Sequence, residues 1–600
     1  MATPDSPPTQ ASPERWSSRW GVILAVAGSA VGLGNYLRFP GLAAKYGGGA
    51  FMLAYGISFL IIGLPICWAE WTLGRMGGAR GFNSAPGILN ALWKWPGAKY
   101  VGVIGVVIPL VIYMYYVYIE AWCLGYAVNY LFSGFQFHDV KESTAFFDAF
   151  IGASANGAAL HFGRESVGWY VLIVMLLNYY FIFRGLSQGI ERFCRYALPA
   201  LVLIALVVLV RVLTLGTPDP SHAERSVANG LGFLWNPDKV ELQQFSPETG
   251  QWVPIHETSD PGLLSGDAGS VAGLEERAAL LNERVPNSAR VRVYPFWEQL
   301  AKPDLWLAAA SQIFFSLSVG FGVILNYASY LRKSDDVVLS GLTATAANEF
   351  CEVAQGGMIT VPAAVVYFGV AGVAGIGAYD LGFKVLPMVF VAMPAGRVFG
   401  FLFFFLLFLA ANTSALSLLQ PGVAFLEEAL ELERKRSVAL LAIMTMVGTG
   451  FVWYCSRDLK ALSTLDFWAG TLLIYIFSTV QIILFAWIIG VDRGFREAHA
   501  GAAIQIPRIF RCVMRFLCPA FLLAVFVAWL GIKVIGLGGQ GLSSYVTDLI
   551  GADAPVSHPP NKVAVAAVGL IIVLMMFLAV ITSGVKRYHD YVHHDEEGPS

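Results

Sequence analysis

What most constrains this chain is the number of stretches too long and too apolar for a soluble fold to bury. About twelve such runs lie near residues 18 to 40, 50 to 73, 100 to 132, 167 to 184, 192 to 215, 305 to 330, 338 to 374, 398 to 425, 437 to 455, 465 to 490, 512 to 536 and 562 to 583. A run of about 20 apolar residues crosses a bilayer as a helix, and hydrocarbon tolerates no backbone whose amides and carbonyls lack partners. Composition agrees: 56% of residues are hydrophobic, 13% are charged and the mean hydropathy is +0.62. The expected class is an all-α membrane protein of twelve transmembrane helices, and soluble enzymes are excluded.

An even number of spans puts both termini on one side, and the distribution of basic residues says which. Arg75, Arg80, Lys94 and Lys99 follow the second run, Arg434, Lys435 and Arg436 precede the ninth, and Arg493, Arg496, Arg508 and Arg511 precede the eleventh. The 133 to 166 loop holds instead Asp139, Glu142, Asp148 and Glu165. Both termini are therefore expected in the cytoplasm and the chain in an inner or plasma membrane. Residues 1 to 15, rich in Pro and Ser, read as a flexible cytoplasmic tail without a cleavable signal pattern, and 587 to 600 as a second tail. The seven cysteines lie in or near the spans, so no disulfide framework is implied. Residues 216 to 304 form one large polar excursion, expected to be extracellular or periplasmic. There "VELQQFSPETGQWVPI" reads as a hairpin, and Leu274, Ala278, Leu281 and Val285 mark an amphipathic helix. The loop is either a structural cover or a partner or gating element.

Two of the runs are weakened where they should be most apolar. "SAVGLG" at residues 29 to 34 and "FSLSVGFG" at 315 to 322 each set small polar residues before a Gly-x-Gly. If residues 16 to 215 and 305 to 490 are two repeats of five spans, these stretches occupy corresponding positions. An odd number of spans per repeat inverts the second copy, with residues 491 to 586 adding the last two spans. Paired glycine-interrupted helices in inverted repeats point to a transporter site at the bilayer midplane. Unwound carbonyls there ligate a hard cation, and half-helix N-termini hold a carboxylate. A single glycine pair would also suit close helix packing; two in register, with hydroxyls and Asn35, favour the site.

The ordered motifs "GLGNYLRFP", "GGGAF", "YYVYIEAW", "QIFFSLSVGFG", "NEFCEV", "TSALSLLQP" and "DFWAG" resemble the neurotransmitter:sodium symporter family over nearly all twelve spans. The resemblance implies a leucine-transporter-like fold with helices 1 and 6 broken, and two sodium sites. One would use Ala30, Asn35, Ser316, Asn348 and the carboxylate of the substrate; the other Gly28, Val31, Ala410, Thr413 and Ser414. A substrate pocket would form from Ser29, Ala30, Gly34, Tyr116, Phe315, Ser318, Phe321, Ser414 and Leu418. Ser316 stands where relatives commonly carry Thr, and Ser29 where the leucine transporter carries Asn. Gly32 stands where monoamine carriers place Asp, so the substrate should bring its own carboxylate. An amino acid fits, and Phe315, Phe321, Ile112 and Leu418 suggest an apolar side chain.

The same resemblance implies that Glu352 replaces the chloride bound by relatives, that Arg38 and Asp466 form an outer gate, and that Tyr116 and Phe315 form the lid beneath it. On the inner side the family's N-terminal Arg aligns with Pro13, leaving Arg15 or Arg19 to pair with an acid near Glu428. Glu70 and Glu120 are intramembrane carboxylates that are either functional or structurally paired. "YGGGAF" lacks the Lys-Ser/Thr of a phosphate loop, so no organic cofactor is implied, only sodium. No nucleophile with a base and no metal-ligand set lies in the spans, so no enzyme is expected. There is no nucleic-acid surface. The expected partners are a small-molecule amino acid and the lipid bilayer, with a homodimer left open. The function these readings reach is sodium-coupled, chloride-independent amino-acid symport by alternating access. The alternative is a non-transporting amino-acid sensor of the same fold.

Overall fold

The computed structural model describes residue 16 and residues 18–222, 225–236, 239–246, 251–254, 271–373, 376–537, 542–551 and 559–591. Most of both expected tails, with Pro13 and Arg15, lies outside the described residues. Among those described, nine helices are long and apolar enough to cross a membrane, and a tenth span is the pair Arg19–Ala30 and Gly34–Tyr46, bent by 42°. Two further expected runs are shorter pieces: Gly168–Phe183 has 16 residues, and the sixth run is split into Pro303–Leu317 and Val323–Ser329.

Burial sorts these helices. Of the most apolar stretch, 94% is inside the protein for Ala98–Phe132 and 83% for Gly396–Leu430, against 22% for Ile509–Val534 and 28% for Lys562–Ser583. The first two pack along their length on each other and form the core of the bundle; the last two turn most of their surface to lipid. Caps set several starts: Ser18 accepts from the Gly21 amide at 2.9 Å and Asp336 from the Leu339 amide at 2.9 Å. The helix begun by Asp336, Val337–Val370, widens to five-residue hydrogen bonding over Phe350–Gly357, as the first span does over Gly34–Arg38. Such bulges cluster at functional sites. The two pack together so closely that a Cβ on Gly356 would lie 1.9 Å from the Asn35 carbonyl oxygen. Glycine at 356 thus sets the spacing that brings Asn348 and Glu352 to Asn35.

The polar excursion bears the expected hairpin, β1 (Lys239–Ser246) antiparallel to β2 (Gln251–Pro254), and the expected helix, Val271–Arg284. A third strand, β3 (Ala289–Tyr294), was not expected; it pairs antiparallel with β1, giving the order β2-β1-β3. Its "ARVRVY" alternates as a strand should, but six residues ahead of an apolar run read as linker. Leu242, Leu274, Ala278 and Ala289 make a small core of their own. Val285, expected on the buried face, is 58% exposed, because the helix ends at Arg284. The excursion is tied to the bundle by helix Val227–Trp235, where a Cβ on Gly230 would lie 2.5 Å from the Pro362 Cα.

Candidate functional site

The two breaks face each other. The first helix stops at Ala30, and Val31 leaves helical geometry at φ −73°, ψ 95°. The amides freed by the break find side chains: Gly32 N–H donates to Asn35 Oδ1 at 2.8 Å and Leu33 N–H to the Tyr116 hydroxyl at 3.2 Å. This is the satisfaction that unwound backbone in a membrane requires. In the sixth span, Ser318, Gly320 and Gly322 take positive φ of 54°, 78° and 84°. A Cβ on Gly322 would meet the Gly105 carbonyl oxygen at 2.3 Å, so both its torsion and its neighbour demand glycine. The breaks are joined at one carbonyl: Ser29 O accepts from Ser318 Oγ at 3.0 Å and from Ser414 Oγ at 3.1 Å.

Between the breaks lies a cavity of about 20 Å³, room for about one water. Ser29, Ala30, Gly34, Tyr116, Phe315, Ser318, Phe321, Ser414 and Leu418 line it, joined by Gly32 and Ile112. The structure thus brings together every residue expected in the substrate pocket. No acid or base faces it. A Cβ on Gly32 would lie 2.7 Å from Ser414 Oγ and 3.0 Å from the Tyr116 hydroxyl.

Of the first sodium set, Asn35, Ser316 and Asn348 converge on the Glu352 carboxylate. Asn35 Nδ2 donates to Asn348 Oδ1 at 2.8 Å and to Glu352 Oε2 at 3.3 Å. Asn348 Nδ2 donates to Ser316 Oγ at 2.7 Å and to Glu352 Oε2 at 3.3 Å. The Ser316 hydroxyl also donates to Glu352 Oε2, and Gln312 Nε2 to Oε1 at 2.8 Å. All four side chains and Glu352 are buried. Gln312 opens the motif "QIFFSLSVGFG" and is not among the expected site residues; its spacing of four from Ser316, which puts both on one helix face, is the signal the sequence offers. The second set lies where the first helix crosses Gly396–Leu430. A Cβ on Gly28 would lie 3.5 Å from Thr413 Cβ, and the Ala410 carbonyl accepts from Thr413 Oγ1 at 3.0 Å and Ser414 Oγ at 3.1 Å. Both sets are built from neutral oxygens, the donors a hard monovalent cation takes.

The gates depart from expectation. Arg38 and Asp466 are not joined: Arg38 Nη2 donates to Ser311 Oγ at 2.9 Å and its guanidinium lies 4.6 Å over the Phe315 ring, while Asp466 Oδ1 accepts from the Tyr115 hydroxyl at 2.7 Å. Phe315 stands edge-on to Phe321, 6.0 Å between ring centres, as the floor beneath the arginine. At the end expected to face the cytoplasm, Arg19 does not meet Glu428. It pairs with Asp336 at 3.2 Å, while Glu428 accepts from the Asn83 and Ser84 amides at 2.7 and 3.1 Å and from the Tyr588 hydroxyl at 2.6 Å. Sequence separation hid both partners: Asp336 begins the seventh run and Tyr588 follows the twelfth. Glu120 is held by Asn178 Nδ2 at 2.9 Å and Asn412 Nδ2 at 2.8 Å, and Glu70 accepts from Gln481 Nε2 at 2.7 Å. Both intramembrane acids are thus hydrogen-bonded to amides of other helices.

Facing broken helices around a small cavity, in a multi-pass helical bundle, define a secondary transporter. Residues 13–145 and 279–588 match the model of the Sodium:neurotransmitter symporter family. The chain belongs to that family, and sodium is its coupled ion. An uncharacterized sodium-dependent transporter of Methanocaldococcus jannaschii is 26% identical, with 88% of this chain and 92% of that protein covered. The sodium-dependent serotonin transporter of Drosophila melanogaster is 24% identical over 86% of this chain and 76% of its own. The crystal structure of MhsT in complex with L-phenylalanine superposes with a TM-score of 0.65 at 25% identity, covering 86% of this chain and 100% of that one. The fold is therefore the leucine-transporter-like one, with its inverted repeats and broken first and sixth helices.

Proposed function

We propose that this protein imports an apolar amino acid together with sodium, by alternating access and without chloride. The observation that carries the reading is the wall of the cavity at Gly32. The relatives' names point to different substrates, a serotonin transporter and a structure holding L-phenylalanine, so the choice falls to the pocket. It offers apolar rings, hydroxyls and main chain but no acid, and Gly32 leaves no room for one. A monoamine would bury an ammonium with no counter-charge, at a cost of several kcal/mol. An amino acid carries its own carboxylate, which would complete the first sodium set with Ala30, Asn35, Ser316 and Asn348.

The charge balance of that set supports chloride independence. Glu352 already receives hydrogen bonds from Gln312, Ser316, Asn35 and Asn348, so the fixed anion is part of the chain. With no acid of its own, the second set draws its charge from the sodium it binds. Two sodium ions carried with a net-neutral substrate gain about 4.6 kcal/mol from 100 mV, about 2.3 kcal/mol per charge. That sustains a gradient of about a thousandfold. The cavity must widen to take a side chain, and Phe315 under Arg38 is the part placed to move. Counting the short fourth helix and the split sixth, the chain has twelve spans with both termini in the cytoplasm. The described parts of the polar excursion, helix Val227–Trp235 and the β2-β1-β3 sheet, cover the outer face, and Arg19–Asp336 closes the inner one.

Uptake of radiolabelled amino acids into proteoliposomes tests this, with sodium or potassium outside and gluconate in place of chloride. Sodium-dependent accumulation of an apolar amino acid, indifferent to chloride, is the expected result. Saturable sodium-dependent binding without flux would instead make the protein a sensor.

A further inference from the structure

A groove of about 380 Å³ shares no lining residue with the substrate cavity. It runs between the outer half of the broken sixth span, Pro303–Leu317, and the end of the eleventh helix, Ile509–Val534. Apart from Asp304 and Lys533 its lining is apolar, and it includes Phe521 and Ala528 of the eleventh helix. Trp306 and Trp529 face it from opposite walls. Beyond them, at the mouth, stand the groove's two charges: Asp304 on the first turn of one helix and Lys533 on the last turn of the other, 3.7 Å apart.

The order of these residues gives a depth scale. The eleventh helix is 26 residues long, about 39 Å at 1.5 Å per residue, enough to pass through the hydrocarbon and into both interfaces. Tryptophans on its wall and on the facing wall mark the boundary of hydrocarbon and headgroup. Asp304 and Lys533, next beyond them, lie at headgroup level, and the apolar floor lies at acyl-chain depth. Only 22% of the apolar stretch of this helix is inside the protein, so the groove opens toward lipid. An acyl chain fits the floor, but any lipid has one; the mouth decides which lipid is held. A headgroup with only negative charge meets Lys533 and is opposed by Asp304. A headgroup carrying both a phosphate and a primary ammonium satisfies both, and the ammonium can donate hydrogen bonds to the carboxylate where a quaternary amine cannot.

We propose that this groove binds one phosphatidylethanolamine-type phospholipid from the leaflet on the side of the 216 to 304 loop. Its phosphate lies on Lys533, its ammonium on Asp304 and one acyl chain along Phe521 and Ala528. Because Asp304 and Phe315 lie on the same helix, the lipid braces the element that carries the lid over the substrate cavity.

The test uses the full-length protein in nanodiscs of phosphatidylcholine doped equally with phosphatidylethanolamine and phosphatidylglycerol. The sample is washed in detergent, and retained lipid per chain is counted by mass spectrometry. Wild type should keep one phosphatidylethanolamine. Asp304→Asn and Lys533→Gln should each lower retention by about tenfold, the value of a charged hydrogen bond. Ala528→Trp, which leaves the charges in place and fills the groove, should lower it as far. Monodisperse elution and an unchanged helical circular dichroism spectrum establish that each variant is folded, and any one folded variant suffices. Equal or preferential retention of phosphatidylglycerol, or full retention by folded Ala528→Trp, would overturn the proposal. So would competition by free phenylalanine, which would make the groove a second amino-acid site.

Discussion

The two sets of oxygens proposed to hold sodium differ in what surrounds them. Around Asn35, Ser316 and Asn348 the side chains form a closed network in which amides and a hydroxyl donate to one another and to the buried Glu352. Around Gly28, Val31, Ala410, Thr413 and Ser414 no carboxylate among the described residues is hydrogen-bonded to the set; both hydroxyls reach the Ala410 carbonyl of their own helix, and that of Ser414 also reaches the Ser29 carbonyl. The first set is an electrostatic device with its anion built in; the second is a geometric one, made where two helices cross. Removing charge should therefore damage the first far more than removing a hydroxyl damages the second.

The harshest way to break this contrast is to add an acid to the wall of the cavity itself. Gly32→Asp places a carboxylate where a Cβ already lies 2.7 Å from Ser414 Oγ. It would fill the cavity and leave a buried charge facing the substrate's own, at about 3–5 kcal/mol. Amino-acid binding should fall about a thousandfold, read by scintillation proximity with radiolabelled substrate. Retention of wild-type affinity would mean that the carboxylate does not bind beside Gly32.

Taking the built-in anion away is the next largest step. Glu352→Ser strips the shared acceptor from Gln312, Ser316, Asn35 and Asn348. Leaving buried donors unpaired costs about 1–3 kcal/mol each, so uptake in gluconate should drop about a hundredfold. Chloride at high concentration should restore most of it, because a small anion fits among the donors. If chloride restores nothing while the variant remains folded, Glu352 does more than balance charge.

At the geometric site the effect should be modest. Thr413→Val keeps the shape and removes one hydroxyl, worth about 0.5–1.5 kcal/mol. The sodium concentration for half-maximal uptake should rise about fivefold, with maximal rate near wild type and no response to chloride. A chloride-dependent response in this variant would erase the distinction between the sites.

The residues that formed a recognisable pattern in the sequence were those whose partners are backbone or lie close along the chain. The glycines of both breaks could be read that way, because unwinding a helix in lipid demands a narrow set of residue types; the cavity-lining residues on other helices, such as Tyr116, Ser414 and Leu418, were reached only through the family resemblance. The gates could not. Arg38 and Asp466 look complementary on paper, yet Ser311 and the Phe315 ring hold one and Tyr115 the other. Asp336 pairs with Arg19 across 317 positions, while serving as an N-cap and accepting from the Ala503 amide at 2.8 Å. A side chain with three partners from three segments leaves no periodic trace. β3 escaped for another reason: "ARVRVY" is short, and only its pairing with β1 makes it a strand.

The finest test of the comparison is at Ser316, where the family resemblance leads one to expect Thr. Ser316 donates to Glu352 and accepts from Asn348 Nδ2, so its hydroxyl serves the network whichever residue bears it. Ser316→Thr keeps that hydroxyl and adds a methyl group at a fully buried position. It restricts the side chain to fewer rotamers. If the first set is electrostatic, fixing the hydroxyl should change little: the sodium requirement should shift by about twofold at most, measured against Thr413→Val in the same vesicles. A shift larger than that of Thr413→Val would show that the first site also depends on exact fit, and that its serine leaves slack which the carboxylate takes up.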